Sequence, residues 1–107
     1  MDKVSGYEIA YVVDAELSPD EISGLKDRIA ELAKGQGAEV GEITQWERRR
    51  MAYSVRGKRE GIYIFMPVKA TTAVVAEVVR NLRLAEPVLR HLVIKSSQTE
   101  KPPEPAA

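Results

Sequence analysis

The sequence of 107 residues contains no cysteine and a single histidine, His91. Without cysteine the chain can form neither disulfides nor thiolate metal sites, which fits a reducing compartment and excludes a cysteine nucleophile. A histidine-rich metal site is also excluded, and any Ser-His-acid arrangement would have to use His91. We therefore expect no catalytic residue, no metal and no cofactor, and we interpret His91 as a structural residue of a strand.

Long apolar runs are also missing. No run approaches the roughly 18 residues that suggest a membrane span, and the first residues do not lead into the apolar stretch of a signal peptide. We expect a cytoplasmic protein without a membrane partner. Its length, with 44% hydrophobic and 30% charged residues, suits one domain with a modest core. Residues 96–107 contain three prolines and no apolar pattern, which predicts a folded domain over 1–95 and a mobile tail over 96–107.

The formal net charge of zero conceals a strong local asymmetry. Residues 1–45 contain ten acids and four bases, whereas residues 46–59, the basic segment, contain one acid and six bases. The basic segment also includes Trp46 and Tyr53. Such an asymmetry is typical of a nucleic-acid contact surface. The alternative is a solvated strand and turn whose arginines pair with acids of the first half.

Apolar periodicity predicts six elements in the order strand, helix, strand, strand, helix, strand. The predicted elements are a strand over 7–13, a helix capped by Ser18 and stopped by Gly35, a long strand over 38–55 with a bulge near Gly41, a strand over 61–68 ended by Pro67, a helix capped by Thr71 or Thr72 that ends before Pro87, and a strand over 88–95. A hairpin turn over 56–60 joins the second and third strands. In the second strand, Trp46 should share a face with Arg48 and Arg50, while Arg49 points the other way beside Met51.

This order is typical of the ferredoxin-like α+β fold, in which a four-stranded antiparallel sheet has two helices on one face. The first and third strands are apolar on both faces, so we place them inside the sheet, with the arginine-bearing strands at the edges. The face without helices then needs another cover, and a partner protein is the natural candidate. We predict Ile62, Ile64, Met66 and Trp46 as partner contacts; the alternative is a semi-apolar open sheet without a partner.

Several short strings, in order, resemble the bacterial small-subunit ribosomal protein six family. They are Tyr7-Glu8, Arg49-Arg50-Met51-Ala52-Tyr53, Gly61-Ile62-Tyr63, Leu82-Arg83-Leu84 and the run from Val88 to Lys95. The resemblance covers roughly residues 7 to 96. No single string is specific, but their order and spacing together are.

The resemblance implies a ferredoxin-like fold, no enzymatic activity, and assembly with ribosomal protein eighteen on the central domain of small-subunit rRNA. Carried over by position, the RNA-binding residues are Arg49, Arg50, Tyr53, Arg83, Arg90 and Lys95. The other bases of the basic segment, Arg48, Arg56, Lys58 and Arg59, add long-range attraction or are simply solvated.

Two other classes of function stay open on this fold. One is a small-molecule-binding regulatory module, since the architecture hosts many functions. The other is an acylphosphatase-like enzyme, which would need a glycine-rich phosphate loop after the first strand. Residues 14–18 contain no glycine, so we rank the enzyme last and expect no small-molecule substrate.

Overall fold

The structure, a computed structural model, describes residues 3–95. The predicted tail over 96–107 lies outside the described residues. The elements in chain order are β1 (Ser5–Asp14), α1 (Pro19–Gly35), β2 (Glu39–Val40), β3 (Thr44–Val55), β4 (Lys58–Ala70), α2 (Thr72–Leu84) and β5 (Val88–Lys95).

The strands form one antiparallel sheet in which β1 lies between β4 and β5, and β2 and β3 both pair with the other side of β4. The ferredoxin-like fold is therefore confirmed, with one difference. The predicted second strand is divided into β2 and β3, because three residues of this strand, 41–43, lie opposite two of β4. The irregularity falls where Gly41 predicted it.

The prediction that Pro67 ends the third strand is wrong, since β4 continues to Ala70. The carbonyl of Pro67 accepts a hydrogen bond from the Gly41 N–H at 2.8 Å, at the interruption between β2 and β3. An amide and a carbonyl of one strand residue point to the same side, so the missing N–H of Pro67 also faces this interruption. A proline is tolerated inside the strand because no regular ladder bond is lost there.

Both helix starts follow the sequence signals. At α1, the Glu21 N–H donates to Ser18 Oγ at 3.2 Å and the Ser18 N–H donates to Glu21 Oε1 at 2.8 Å, which completes a capping box. At α2, the Val74 N–H donates to Thr71 Oγ1 at 3.3 Å. The end of α1 differs from the prediction, because the left-handed glycine that follows the helix is Gly37, with φ +103°, and not Gly35.

The hydrophobic core lies between the two helices and one face of the sheet. Register places Ile9 opposite Met66 and Tyr11 opposite Ile64, so these four side chains project to the same side. They pack there with apolar residues of both helices, including Ile29 of α1 and Val78 and Leu82 of α2.

This arrangement corrects part of the predicted partner surface. Ile64 and Met66 are 0% exposed and belong to the core beneath the helices. Ile62 is half-buried against the same core. None of the three lies on the uncovered face, so the partner contacts predicted on β4 have to be reassigned to the residues that alternate with them.

Candidate nucleic-acid and partner interface

The side of the sheet opposite the helices is called the open face below. Residues that pair across β1, β4 and β5 and alternate with the core residues define it. They are Glu8, Ala10 and Val12 of β1, Tyr63, Phe65 and Pro67 of β4, and Arg90, Leu92 and Ile94 of β5.

Part of the open face is closed by the chain itself. Val12, Met51 and Phe65 are buried but do not belong to the core cluster beneath the helices. The Trp46 ring lies 4.8 Å from the Phe65 ring, centroid to centroid, at an angle of 54°, a tilted arrangement that is favourable for aromatic pairs. Towards β5 the face stays open, and Leu92 is 54% exposed.

The position of Trp46 differs from the prediction. Between Gln45 and Arg48 the register of β3 advances three residues while β4 advances two. This extra residue reverses the alternation, so Trp46 lies on the same side as Arg49 and not with Arg48 and Arg50. The guanidinium carbon of Arg49 is 4.8 Å from the centroid of the Trp46 ring. The predicted separation of Arg49 from its two neighbours is confirmed by their successive pairings with β4.

A second guanidinium group, that of Arg90, also lies over an aromatic ring. The guanidinium carbon of Arg90 on β5 lies 5.0 Å from the centroid of the Tyr53 ring on β3. A cation within about 6 Å of an aromatic centroid is attracted by the ring. Within residues 3–95, neither Arg49 nor Arg90 forms an ion pair, and both are exposed. Their N–H donors are therefore positioned by aromatic rings and still available to phosphate oxygens.

Three other bases of the basic segment form contacts within the domain: Arg48, Lys58 and, at the hairpin turn, Arg56. Arg48 donates to Glu60 Oε1 at 3.3 Å and to the Ala15 carbonyl at 3.1 Å. Lys58 Nζ lies 3.4 Å from Asp14 Oδ2 and 3.2 Å from Glu16 Oε1. The hydrogen bonds that its ammonium group donates to Glu16 and Asp14 raise the pKa of Lys58. The alternative to a nucleic-acid surface, pairing of the arginines with acids of the first half, is therefore not what Arg48 shows, since its acid is Glu60. Lys58 is the base that pairs with acids of the first half, Asp14 and Glu16.

Arg56 shapes the hairpin turn between β3 and β4. Arg56 has a positive φ of +50° and Gly57 one of +79°, which is the pattern of a two-residue type I′ hairpin turn. Its guanidinium donates to the carbonyls of Glu86 and Val88, just before and at the start of β5. The hairpin is therefore folded against the domain at its tip and does not project freely.

Arg50 faces the other side of β3. It lines a cleft of about 490 Å³ whose other charged residues are Arg59, the paired Arg48 and Glu60, and Lys58 with its partners Asp14 and Glu16. Arg50 and Arg59 are exposed, and the structure shows no ion pair for either within the part of the chain that it describes.

The structure brings together three of the six predicted RNA-binding residues on the open face, namely Arg49, Tyr53 and Arg90. Arg83 is exposed in the last turn of α2, where a positive charge also complements the helix dipole. Lys95 ends β5 opposite Tyr7, on the side of the helices. These two lie apart from the open-face group.

Sequence reasoning missed Glu8, Leu92 and Phe65 as open-face residues. Apolar residues occur on both sides of β1 and β4, so alternation shows two faces without showing which one the helices cover. The signal is the charge on the predicted strand over 7–13, where Glu8 is the one charged residue and alternates with Ala10 and Val12. A face containing an acid is the more exposed one.

Residues 3–95 include no group of three or more histidine, aspartate or glutamate side chains placed to hold a metal ion. Within the same range, neither helix is both long and apolar enough to cross a membrane.

Comparison with known proteins adds to this geometry. Residues 6–95 match the model of a family described as ribosomal protein S6. Among curated proteins, the chain is 39% identical over 89 residues to small ribosomal subunit protein bS6 of Salinispora arenicola, with 83% of this chain and 93% of the relative covered. It is 34% identical over 92 residues to the protein of the same name from Carboxydothermus hydrogenoformans, with coverage of 86% and 96%.

Two solved structures share the fold. The crystal structure of 30S ribosomal protein S6 from Thermotoga maritima superposes with a TM-score of 0.80 at 16% identity, covering 87% of this chain and 88% of that one. The C-terminal domain of the MgtC protein from Mycobacterium tuberculosis gives a TM-score of 0.65 at 12% identity, with 91% and 93% covered. At these identities the two likenesses concern the fold alone.

Proposed function

The chain belongs to the ribosomal protein S6 family, and we propose that, as a constituent of the small ribosomal subunit, it binds the central domain of small-subunit rRNA together with ribosomal protein eighteen. Its relatives are named as proteins of the small ribosomal subunit, and we propose no enzymatic activity for this chain. The proposed location is the ribosome, and hence the cytoplasm of a bacterium. Family membership over most of the chain favours this proposal over a regulatory module or an acylphosphatase-like enzyme.

The observation that supports RNA binding most strongly is the pair of exposed guanidinium groups, Arg49 and Arg90, held over Trp46 and Tyr53. Arginine forks match phosphate oxygens and release condensed counterions on contact. Tyr53 is itself exposed and offers a ring on which an unpaired base can stack. The proposed recognition is therefore of backbone and shape, with no code for base sequence.

Arg50 extends the proposed contact around an edge of the sheet. Among the strands of residues 3–95, β3 pairs with β4 alone. Its other side is an edge of the described sheet, with Arg49 on one face and Arg50 on the other. A phosphate backbone that follows this edge can be contacted from both faces. Arg83 and Lys95 lie elsewhere, and we propose them as contacts to other parts of a folded RNA on the strength of the family resemblance alone.

The partner protein is proposed to cover the rest of the open face. Leu92 is more than half exposed, and Ala10 and Ile94 beside it are partly exposed. These residues replace Ile62, Ile64 and Met66 as the proposed apolar contacts. Trp46 remains a proposed contact because its ring lies on the open face against Phe65.

The RNA proposal is tested by filter binding to the central domain of small-subunit rRNA, with ribosomal protein eighteen present, at several salt concentrations. Each lost phosphate contact lowers the salt slope by about 1, so Arg49→Ala with Arg50→Ala should weaken binding and lower the slope by about 2. Arg48→Ala is the matched control, because Arg48 is already bonded to Glu60 and Ala15. A double variant that binds with an unchanged slope would refute the assignment of the site.

A further inference from the structure

Glu8 is an acid in an unusual place on the open face. Its direct neighbours across the sheet are Pro67 on β4 and Ile94 on β5, and the next residue on the same face of β1 is Ala10. The side chain is half-buried, and burial raises the pKa of its carboxyl group. The carboxylate is therefore partly removed from water by apolar neighbours.

No cation compensates this carboxylate within residues 3–95, where Glu8 takes part in neither an ion pair nor a side-chain hydrogen bond. The nearest candidate by register is Lys69, which is opposite Gly6 and thus one step along the same face. Lys69 is exposed and has Glu39 directly across from it on β2. On β5, the residues that face Glu8 are the apolar Ile94 and Leu92.

The charges on the open face are divided between its two ends. Val12 pairs with Arg90 and lies four steps along β1 from Glu8, which at the rise of a strand is about 13 Å. One end therefore has the cations Arg49 and Arg90 with their aromatic rings. The other end has the Glu8 carboxylate between Pro67 and Ile94, with Lys69 and Glu39 opposite each other one step further along. A polyanion is attracted to the first end and repelled from the second.

We propose that Glu8 is the specificity-determining contact for the partner protein, and that the partner docks on the apolar surface of Ala10, Leu92 and Ile94 with a lysine or arginine side chain placed against the Glu8 carboxylate. This inference rests on the function proposed above and adds the chemistry of the occupant. Charge complementarity selects a basic protein surface. An apolar partner without a cation would bury the carboxylate unpaired, which is costly.

The test measures the affinity of the chain for ribosomal protein eighteen by calorimetry, for the wild type and three variants. Glu8→Gln keeps the shape and removes the charge, and should weaken binding at least about tenfold, as loss of one member of a desolvated charge pair does. Glu31→Gln is the matched control, since Glu31 is exposed on α1 in a surface pair with Lys34; its affinity should be unchanged. Lys69→Gln should also bind within about twofold of the wild type, because exposed neighbours add little.

The pH dependence provides a readout that a purely structural role would not change. The ionised form of Glu8 binds the cation, so wild-type affinity should fall as the pH drops through the raised pKa of this carboxyl group. The Glu8→Gln variant has no carboxyl group at this position, so its affinity for the partner should not show this fall with pH. Binding of RNA alone should be equal for both proteins.

Three results would overturn the inference, and they are distinguishable. If the wild type binds ribosomal protein eighteen and Glu8→Gln binds equally well, the cation contact is wrong and the proposed function stands. If Lys69→Gln weakens binding as much as Glu8→Gln, the two residues act as an internal pair and the partner supplies no cation. If the wild type does not bind the partner at all, the proposed partnership fails and this inference fails with it.

Discussion

Two substitutions on opposite faces of one sheet should separate folding from docking. Ile64 on β4 is 0% exposed beneath the helices, whereas Leu92 on β5 is 54% exposed on the open face. Truncation of a fully buried isoleucine to alanine costs about 2–5 kcal/mol. A small domain has about 5–15 kcal/mol of stability, so Ile64→Ala should remain mostly folded with a clearly lower urea midpoint.

For Leu92 we expect a small effect on folding stability and a larger effect on partner binding. Full burial of a leucine side chain contributes about 1.5–3 kcal/mol, and less than half of Leu92 is removed from water in the free chain. Leu92→Ala should therefore cost no more than about 1.4 kcal/mol of folding free energy. If the partner covers this residue, the same change should weaken partner binding by more than about 1 kcal/mol, or roughly fivefold.

The assay is urea unfolding followed by calorimetric titration with ribosomal protein eighteen. Leu84→Ala is a matched control, because Leu84 is a leucine with 69% exposure on α2, on the helical side of the domain; it should change neither quantity. If Leu92→Ala destabilises the fold as much as Ile64→Ala, Leu92 does not lie on an exposed surface. If folded Ile64→Ala loses more partner affinity than Leu92→Ala, the partner does not dock on the open face.

Two further predictions concern stability. Gly61→Ala should lower the free energy of unfolding by about 1–3 kcal/mol, measured by urea unfolding. The Cβ of the new alanine would lie 2.3 Å from Val12 Cγ1 and 3.1 Å from the Val13 carbonyl oxygen. An unchanged urea midpoint would show that β1 and β4 separate easily at this position. Tyr11→Phe should be as stable as the wild type or more stable, since the buried hydroxyl has no hydrogen-bond partner within residues 3–95 and an unsatisfied buried group costs about 1–3 kcal/mol. Burial also raises the pKa of this hydroxyl. A clear loss of stability in Tyr11→Phe would indicate that the hydroxyl forms a hydrogen bond in the folded protein.

The local features of the fold could be predicted from the sequence because their signals are local. The capping box at Ser18 and Glu21, the Thr71 cap and the bounds of β5 each depend on residues within a few positions of one another. The irregularity at Gly41 was also visible, as a change in apolar alternation along one strand.

The face assignments could not be predicted in the same way. Because β1 and β4 are apolar on both sides, only the register of β1 with β4 and the packing of the helices show that Ile64 is in the core and Phe65 is not. A single extra residue in β3 placed Trp46 beside Arg49, and such a bulge reverses every side chain after it.

The internal use of charge depends on contacts between distant residues. Arg48 bonds to Ala15 and Arg56 to Val88, at sequence separations of 33 and 32 residues. A count of charges in the basic segment cannot distinguish these arginines from Arg49. The structure can, because it shows which guanidinium groups already have acceptors.

We propose above that the arginines of β3 and the open face that have no acceptor within residues 3–95 bind the phosphates of small-subunit rRNA. The most direct test is the salt dependence of wild-type binding to the central-domain rRNA with ribosomal protein eighteen present. We expect the logarithm of the affinity to fall linearly and steeply with the logarithm of the salt concentration, and to fall less steeply for the variant lacking Arg49 and Arg50. Tight wild-type binding that is insensitive to salt, or no binding at any salt concentration, would contradict it.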